Sequence, residues 1–294
     1  MNSSKGMGSL LVIGGSEDRT ENKEVLQRFM ALAGGADAPI VVLTAASKVP
    51  HDVWEMYETA FADLGARQVQ HVVTLERADA EKRDVAELVK GAKGVLMTGG
   101  DQKRLMAILG GSAIETAMRH AFTNNGACIA GTSAGASALC AHMVAEGKAE
   151  LAPEKDAVRL GKGMGFVNGV IVDQHFSQRH RINRLLSTIT QHPFLMGAGI
   201  DENTALIVQP KVGIEVIGEG CVSVLDSRRA TSNINEIPSG STPQIFGVRL
   251  HLLPSGSAFG LNESAPTGSL LSPQLKQAPR EITDFVNELV NGTE

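Results

Sequence analysis

Long apolar runs, cysteines and aromatic residues are all scarce in this sequence, and each shortage excludes a class of protein. No uninterrupted apolar run approaches the roughly 18–20 residues that a membrane-spanning helix needs. Charged residues 17–19 lie shortly after the first apolar run, in the region where a signal peptide would have a small-residue cleavage site. The three cysteines, Cys128, Cys140 and Cys221, are too few and too scattered for a disulfide framework or a zinc cluster. We therefore expect a cytoplasmic protein with reduced thiols and no membrane partner.

Acidic residues outnumber basic ones, which bears on the partners that the protein can bind. The chain of 294 residues has 27 Lys and Arg against 32 Asp and Glu, and aromatic residues make up 4% of it. Nucleic-acid-binding proteins usually show a basic excess and often aromatic side chains for stacking, so we expect no nucleic-acid partner. The motifs G-x-G-x-x-G, G-x-x-x-x-G-K-[ST] and H-E-x-x-H are absent, so nucleotide-binding and zinc-peptidase functions have little support.

Short apolar runs alternate with amphipathic segments through the first half of the chain. This alternation predicts βαβ units, and therefore an α/β fold with a parallel sheet covered on both faces. We expect the strand-to-helix loops to meet at one edge of the sheet, where open α/β folds bind ligands. The predicted strands are Leu10–Ile13, Pro39–Leu43, Val69–Val73, Gly94–Met97 and Ala127–Ala130, and the predicted helices are Glu17–Ala33, Val53–Leu64, Ala78–Val89 and Leu105–Phe122.

Beyond about residue 200 the pattern changes to short strands separated by turns, which predicts hairpins. The absence of an internal repeat or a long linker favours one domain over 1–294, with an α/β core at about 8–210 and a hairpin-rich portion at 211–294. The elements predicted after residue 200 are the strands Thr204–Val208, Val212–Ile217, Cys221–Leu225 and Arg249–Leu253, a loop over 254–279 and a final helix at Glu281–Val290.

The strongest motif is Gly131-Thr132-Ser133-Ala134-Gly135, which lies between a predicted strand and a predicted helix. In this context G-x-S-x-G is the nucleophile elbow, where a sharp turn exposes the serine hydroxyl and glycines avoid collisions within the turn. Ser133 is then the candidate nucleophile, and the backbone N–H of Ala134 can stabilise an oxyanion. The alternative is a small-residue turn that packs a helix against a strand.

A serine hydroxyl needs a general base, and His175 is the best placed of the eight histidines. It follows the predicted strand Val170–Val172 and so lies at the same edge of the sheet as Ser133. A third residue must orient the histidine and stabilise its charged form. The candidates for this acid are Glu202, beside Asp201 at the end of the apolar run 196–200, and the competing Glu150 and Glu154.

Two further features near these residues could contribute to a site. The glycine-rich turn 98–102 follows a predicted strand, and the backbone N–H of Gly100 could supply a second oxyanion donor. Three arginines follow His175, and beside a base they could hold a substrate carboxylate by bidentate hydrogen bonds instead of forming a solvated helix face. Arg181 and Arg184 share a helix face, so we expect at least one of them to contact the carboxyl end of the substrate, and Arg179 to be structural.

Two other interpretations use the same elbow. An α/β-hydrolase-type esterase has its acid and its histidine after the serine, an order that Ser133, Asp226 and His251 meet. Such an enzyme would lack the HGGG-type oxyanion loop here. A non-catalytic binding protein with an elbow-shaped turn is the other interpretation, and a fluorophosphonate probe distinguishes it because only an activated serine is labelled.

Four segments together resemble the cyanophycinases, which belong to a serine-peptidase family that also contains the alpha-aspartyl dipeptidases. The segments are GTSAGAS at 131–137, DQHFSQRHR at 173–181, GGDQ at 99–102 and LLVIGGSEDR at 10–19, and the resemblance covers about residues 10–210. It implies a flavodoxin-like three-layer sandwich with a mostly parallel sheet, related to class I glutamine amidotransferases. It also implies a homodimer that needs no metal and no cofactor.

The resemblance further implies an activity and a set of site residues. Cyanophycinases hydrolyse cyanophycin, a poly-aspartate with an arginine on each side-chain carboxylate, to β-aspartyl-arginine dipeptides. By this resemblance Ser133 is the nucleophile, His175 the base and Glu202 the acid. The related dipeptidases take their acid soon after the serine, where this chain has Glu146 and Glu150. The implied substrate-binding residues are Gln102, Asp173, Gln174, Arg179, Arg181 and Arg184.

Overall fold

The structure, a computed structural model, describes residues 6–260 and 278–291, and the strands in these ranges form two large sheets and two short ribbons. No helix in this part of the chain has both the length and the apolar character of a membrane-spanning segment.

The strands are β1 (Leu10–Ile13), β2 (Ile40–Leu43), β3 (Val69–Val72), β4 (Gly94–Met97), β5 (Cys128–Thr132), β6 (His142–Gly147), β7 (Val158–Lys162), β8 (Val170–Gln174), β9 (Met196–Ile200), β10 (Thr204–Gln209), β11 (Gly213–Gly218), β12 (Cys221–Asp226), β13 (Thr231–Ser232), β14 (Ile245–Phe246), β15 (Arg249–Pro254) and β16 (Ala258–Gly260). The helices are α1 (Glu24–Ala33), α2 (Pro50–Asp63), α3 (Arg77–Ala80), α4 (Arg83–Gly91), α5 (Gln102–Leu109), α6 (Ala113–Asn125), α7 (Ala134–Leu139), α8 (Ile182–Gln191) and α9 (Arg280–Asn291).

The larger sheet has the strand order β16-β11-β10-β1-β5-β4-β2-β3. The strands from β1 to β3 in this order pair in parallel, and β10, β11 and β16 extend the sheet in antiparallel fashion. Every residue of β1, β2, β4 and β5 is buried, because helices cover both faces of this sheet. The fold is therefore an α/β, flavodoxin-like sandwich with a mostly parallel sheet, and the predicted fold class is confirmed.

The smaller sheet, with the order β15-β12-β9-β8, carries two of the predicted catalytic residues. β8 and β9 pair in parallel, so the chain leaves both strands at the same end of the sheet. His175 directly follows β8, and Glu202 lies two residues beyond β9. Backbone hydrogen bonds from His175 to Gly14 (2.8 Å) and from Asn203 to Gly15 (2.9 Å) connect this end to the loop after β1. The candidate site therefore forms where the two large sheets meet.

Several predicted helices begin or break elsewhere for local reasons. The helix expected over 17–33 begins at Glu24, because the Asp18 carboxylate accepts three backbone N–H groups between residues 20 and 23 and holds this segment as a loop. The helix expected over 105–122 breaks at Gly110 and Gly111 into α5 and α6. The helix expected over 78–89 is likewise divided between α3 and α4.

The strands after residue 200 are paired differently from the prediction. β10 and β11 form the expected hairpin, but β12 pairs with β9 and β15 in the other sheet instead of with β11. The antiparallel ribbon of β6 and β7 is not predicted from the sequence. Most of the loop expected over 254–279 lies outside the described residues, and β16 occupies part of the remainder. The expected final helix is present as α9.

Candidate active site

Ser133 lies at the turn between β5 and α7, in the strained backbone conformation of a nucleophile elbow. Its φ is 52° and its ψ is −109°, which residues with a Cβ rarely adopt. A Cβ on Gly131 would lie 2.4 Å from the backbone of Gly135, and a Cβ on Gly135 would lie 2.4 Å from the Met97 carbonyl oxygen. Only glycine fits at these two positions. The predicted context of strand, sharp turn and helix is confirmed.

The Ser133 side chain is hydrogen bonded to His175, and His175 is hydrogen bonded to Glu202. Ser133 Oγ is 2.8 Å from His175 Nε2, and His175 Nδ1 is 2.6 Å from Glu202 Oε1. His175 is buried, whereas Ser133 and Glu202 are half-buried. In the tautomer that suits these contacts, Nδ1–H donates to Glu202 and Nε2 accepts from the serine hydroxyl. The structure thus brings the three predicted residues together in the geometry of a serine–histidine–acid triad.

The adjacent carboxylates Asp201 and Glu202 point in different directions. Asp201 is buried and accepts hydrogen bonds from the backbone N–H groups of Ser177 (3.0 Å) and Cys221 (3.1 Å). Glu202 faces His175 instead, and its backbone N–H donates to Gln178 Oε1 at 3.0 Å. Sequence reasoning missed Gln178 as part of the site, although it lies inside the segment DQHFSQRHR that carried the resemblance.

Burial lowers the pKa of His175 below its ordinary value of 6.5. The guanidinium groups of Arg179 and Arg181 also lower this pKa, because a second positive charge nearby disfavours the imidazolium. The hydrogen bond to Glu202 acts in the opposite direction and raises the pKa of His175. The net lowering leaves the imidazole neutral at pH 7, in the form that can accept a proton from Ser133.

The competing acids after the elbow helix make other contacts. Glu146 forms an ion pair with Lys103. The carbonyl oxygen of Glu150 accepts a hydrogen bond from Asn183 Nδ2 at 3.2 Å, and the backbone N–H of Glu154 donates to a serine hydroxyl on α8 at 2.9 Å. Glu202, and none of these three, is the carboxylate hydrogen bonded to His175.

The residues of the α/β-hydrolase interpretation are also engaged elsewhere. The Asp226 carboxylate binds Arg228 at 2.9 Å, and His251 lies on β15 opposite Val224. The histidine bonded to Ser133 is His175, which precedes its acid in the chain and so reverses the order of that fold. Within residues 6–260 and 278–291, no group of three or more His, Cys, Asp or Glu side chains is arranged to hold a metal ion.

The glycine turn after β4 lies against the nucleophile. A Cβ on Gly99 would be 3.3 Å from Ser133 Cβ and 3.7 Å from Ser133 Oγ. Gly100 has a φ of 143°, and a Cβ there would be 2.2 Å from the Ala46 carbonyl oxygen, so the turn requires glycine. Ala134 is the first residue of α7, so its N–H has no acceptor one turn earlier in that helix. Gly99 therefore lies beside the nucleophile and Ala134 follows it directly, and the role of Gly100 and Ala134 as oxyanion donors stays a prediction.

Asp173 is the centre of a buried charge cluster at the end of β8. Its carboxylate is fully buried and accepts hydrogen bonds from Arg184 Nε at 2.8 Å and from Arg184 Nη2. Arg181 Nη1 is 3.4 Å from the same carboxylate and donates to the backbone and side-chain oxygens of Gln174 at 2.6 and 2.5 Å. Arg184 Nη1 donates to the Gly147 carbonyl oxygen at 2.8 Å, which ties α8 to β6. The carboxylate of Asp173 and the two guanidinium groups are therefore hydrogen bonded to other groups of the protein.

The three arginines after His175 differ in exposure, and Arg179 is more exposed than a structural residue would be. Arg181 and Arg184 share one target, as their spacing predicts, but their side chains are only 11% and 8% exposed. Arg179, expected to be structural, is exposed and lies in the turn before α8. The Gln102 side-chain nitrogen donates to the carbonyl oxygens of residues 144 and 145 at 3.0 and 3.2 Å, so it connects the start of α5 to β6. Arg179 is the most open of the predicted substrate-binding side chains.

Fold and site together define a serine hydrolase, in which an α/β sheet presents the nucleophile and a second sheet supplies the base and the acid. The sequence model of peptidase family S51 matches residues 10–215. The chain is 35% identical over 264 residues to the cyanophycinase of Geminocystis herdmanii (strain PCC 6308), which covers 90% of this chain and 97% of that protein. The chain belongs to peptidase family S51 and is a serine peptidase.

Other relatives agree with this assignment. The cyanophycinase of Synechococcus elongatus is 35% identical over 269 residues, covering 91% of this chain and 84% of that protein. The cyanophycinase of Trichormus variabilis (strain ATCC 29413 / PCC 7937) is 34% identical over 254 residues, covering 86% and 85%. Among solved structures, a peptidase from an acI-B1 Actinobacterium superposes with a TM-score of 0.64 at 21% identity, covering 87% of this chain and 98% of that one. That superposition supports the same fold.

Proposed function

We propose that the protein hydrolyses the poly-aspartate backbone of cyanophycin and releases β-aspartyl-arginine dipeptides. One observation carries the proposal: Ser133, His175 and Glu202 form a hydrogen-bonded triad in a chain of peptidase family S51. Similarity to cyanophycinases over 90% of this chain supports the choice of substrate. The enzyme acts in the cytoplasm as a homodimer, which light scattering on the purified protein and cell fractionation test.

The triad performs the reaction in two steps. Ser133 Oγ attacks the carbonyl carbon of the scissile peptide bond while its proton passes to His175 Nε2. The C–N bond breaks as Nε2 gives this proton to the leaving nitrogen, and an acyl-enzyme on Ser133 remains. A water molecule then attacks the ester while Nε2 takes its proton, which returns to Ser133 as the acid product leaves. Glu202 keeps the imidazole oriented and stabilises its charged form.

Backbone and side-chain groups around the triad stabilise and orient the substrate. The N–H groups of Gly100 and Ala134 donate to the oxygen that becomes negative in each step. The exposed Arg179 binds a substrate carboxylate through charge-assisted hydrogen bonds, because its guanidinium is open to solvent close to His175. The buried Asp173, Arg181 and Arg184 shape the wall beside it, together with Gln102 and Gln174. The reaction requires no cofactor.

The test is to incubate the purified protein with insoluble cyanophycin and to measure soluble β-aspartyl-arginine by mass spectrometry. Wild type releases the dipeptide, and Ser133→Ala releases none while keeping its circular dichroism spectrum, because alanine fits the elbow. Ser137→Ala, which removes a buried serine hydroxyl one turn further along α7, is the matched control and keeps its activity. Activity of Ser133→Ala close to that of wild type would falsify the assignment of Ser133 as the nucleophile.

Other substrates separate the alternative enzymes from this one. Cleavage of α-aspartyl dipeptides with no action on cyanophycin would assign the chain to a dipeptidase activity, and cleavage of simple esters alone would assign an esterase. Intact protein that never reacts with a fluorophosphonate would be a binding protein. Each of these three results contradicts the proposed substrate, and the third also contradicts the mechanism.

A further inference from the structure

Three successive backbone carbonyls, of the last residue of β1 and of the two residues that follow it, accept hydrogen bonds from two triad residues and from the neighbour of the third. The Ile13 oxygen accepts from the N–H of Ser133 at 3.1 Å, and the Gly14 oxygen accepts from the N–H of His175 at 2.8 Å. The Gly15 oxygen accepts from the N–H of Asn203, the residue after Glu202, at 2.9 Å. The position of this loop therefore sets the relative positions of the nucleophile, the base and the acid.

The side chain of Glu17 fixes this loop to the elbow and to α2. Glu17 Oε2 accepts a hydrogen bond from the hydroxyl of Thr132, the residue before the nucleophile, at 2.6 Å. Glu17 Oε1 accepts from the hydroxyl of Tyr57 on α2. All three side chains are at least 97% buried, and Arg19 Nη1 lies 4.0 Å from Glu17 Oε1 at the outer side. Both carboxylate oxygens of Glu17 thus accept hydrogen bonds from buried hydroxyl groups of the protein.

We infer that Glu17 is a positioning residue for the reaction, acting through the hydroxyl of Thr132 on the nucleophile elbow. The inference rests on the proposed role of Ser133 as nucleophile. Thr132 precedes a residue whose backbone is strained, so a hydrogen bond that fixes the Thr132 side chain restrains the peptide from which Ser133 projects. Displacement of a reacting atom by about 1 Å can lower a rate by on the order of 100-fold. Because Glu17 is buried and both of its carboxylate oxygens accept hydrogen bonds from protein groups, we expect it to affect turnover more than affinity.

A pair of substitutions at Thr132 separates this role from simple packing. Thr132→Val keeps the shape of the side chain and removes the hydroxyl, whereas Thr132→Ser keeps the hydroxyl and removes the methyl group. We expect Thr132→Val to lower kcat on β-aspartyl-arginine oligomers by about tenfold or more with KM within about twofold, and Thr132→Ser to stay close to wild type. The rate at which a fluorophosphonate labels Ser133 should fall by a similar factor in Thr132→Val only.

Variants of Glu17 and of Tyr57, the second hydrogen-bond donor to its carboxylate, complete the experiment. Glu17→Gln should lower kcat and the labelling rate in the same way, and Tyr57→Phe by less, because Tyr57 holds Glu17 and does not contact the elbow residue Thr132. Glu17→Gln combined with Thr132→Val should be no slower than the slower single variant, since the two residues act as one unit. Glu21→Gln, an exposed acid on the same loop, is the control and should match wild type.

Several results would overturn the inference. The first is a folded Thr132→Val protein, with unchanged thermal midpoint, whose kcat and labelling rate equal those of wild type. The inference would also fail if the double variant lost activity by the product of the two single losses, or if Thr132→Val and Thr132→Ser lost equal activity. A rise in KM in place of the fall in kcat would contradict it as well. Should the wild-type enzyme leave cyanophycin intact yet label normally, the substrate proposal fails, and the labelling rates still decide the role of Glu17.

Discussion

At the scale of single residues, the protonation state of His175 sets the pH range of activity. Burial and the neighbouring arginines lower the pKa of His175 from 6.5, so the neutral base persists to lower pH than that of an exposed histidine. We expect kcat/KM to rise with pH and to reach its plateau through an inflection below 6.5. A rate that still rises steeply above pH 7 would contradict a histidine in this environment.

Glu202→Gln should change both the size and the pH dependence of the rate. The carboxylate raises the pKa of His175, so its removal moves the inflection to still lower pH. Loss of the group that orients the imidazole should lower kcat by on the order of 10³–10⁴-fold, with little change in KM. Glu150→Gln is the control, because it is the backbone carbonyl of Glu150 that accepts the hydrogen bond from Asn183. A large loss at Glu150 and none at Glu202 would transfer the acid to the dipeptidase-like position.

Gly15 offers a test of how closely the loop after β1 holds the histidine. It has a φ of 104°, and a Cβ there would lie 2.4 and 2.5 Å from Cε1 and Nε2 of His175. Gly15→Ala should therefore displace the ring from Ser133 and lower kcat by about 100-fold. Gly35→Ala is matched for backbone strain, since Gly35 has a φ of 93° with no atom within 4 Å of a built Cβ. It should lower the thermal midpoint without lowering kcat.

The sequence reveals the triad more readily than the residues that support it. Ser133 is found by its motif and His175 by its place after a predicted strand, whereas position leaves Glu202 in competition with Glu150 and Glu154 and only the family resemblance favours it. Glu17, Thr132 and Gln178 act through contacts across the fold: the Glu17–Thr132 hydrogen bond joins residues 115 apart in the chain. Local patterns of apolar and polar residues contain no information about which distant groups will share a carboxylate. These supporting residues are recognised only once the two sheets have been placed.

At the scale of elements, the ion pair between Asp173 and Arg184 joins β8 to α8. Arg184→Gln should lower the free energy of unfolding by about 3–5 kcal/mol, because it breaks a buried pair and leaves Asp173 with the longer 3.4 Å contact to Arg181. Urea unfolding measures this change. Arg67→Gln is the control, since its ion pair with Asp37 has side chains 70% and 72% exposed and should contribute less than about 1 kcal/mol. Equal losses in both variants would show that burial does not matter here.

The start of α1 shows why element boundaries are harder to predict than elements. Apolar periodicity marks the helix correctly, but the helix begins at Glu24 because the Asp18 side chain competes for backbone N–H groups between residues 20 and 23. The hairpin of β10 and β11 is present, but the expected pairing of β11 with β12 is wrong for a different reason. Spacing and turn residues indicate that β11 and β12 are strands, yet they carry no signal that one belongs to the large sheet and the other to the small sheet. Strand partners depend on the tertiary fold.

At the scale of the whole molecule, α9 packs into the same apolar core as the central sheet. Phe285 is fully buried and belongs to a cluster that also contains Leu10 and Val12 of β1. Phe285→Ala should destabilise the protein by about 3–5 kcal/mol and lower the midpoint of a single calorimetric transition, if 1–294 is one domain as we propose. Leu252→Ala, at a side chain 61% exposed, should change stability by less than about 0.5 kcal/mol. Two separate transitions, with only one moved by Phe285→Ala, would divide the chain into two domains.

The three backbone carbonyls of residues 13–15, at and just beyond the end of β1, have a consequence for biosynthesis. β1 is synthesised well before its partners: the N–H donors to these carbonyls lie at residues 133, 175 and 203, and the antiparallel neighbour of β1 is β10 at Thr204–Gln209. Each of these contacts spans more than a hundred residues, so each forms late in folding. A nascent chain that ends before β10 lacks the antiparallel neighbour of β1, which begins two residues beyond Glu202. We therefore expect a ribosome-bound chain to be inactive at least until β10 has emerged, and until β12 has emerged if the small sheet must also be complete.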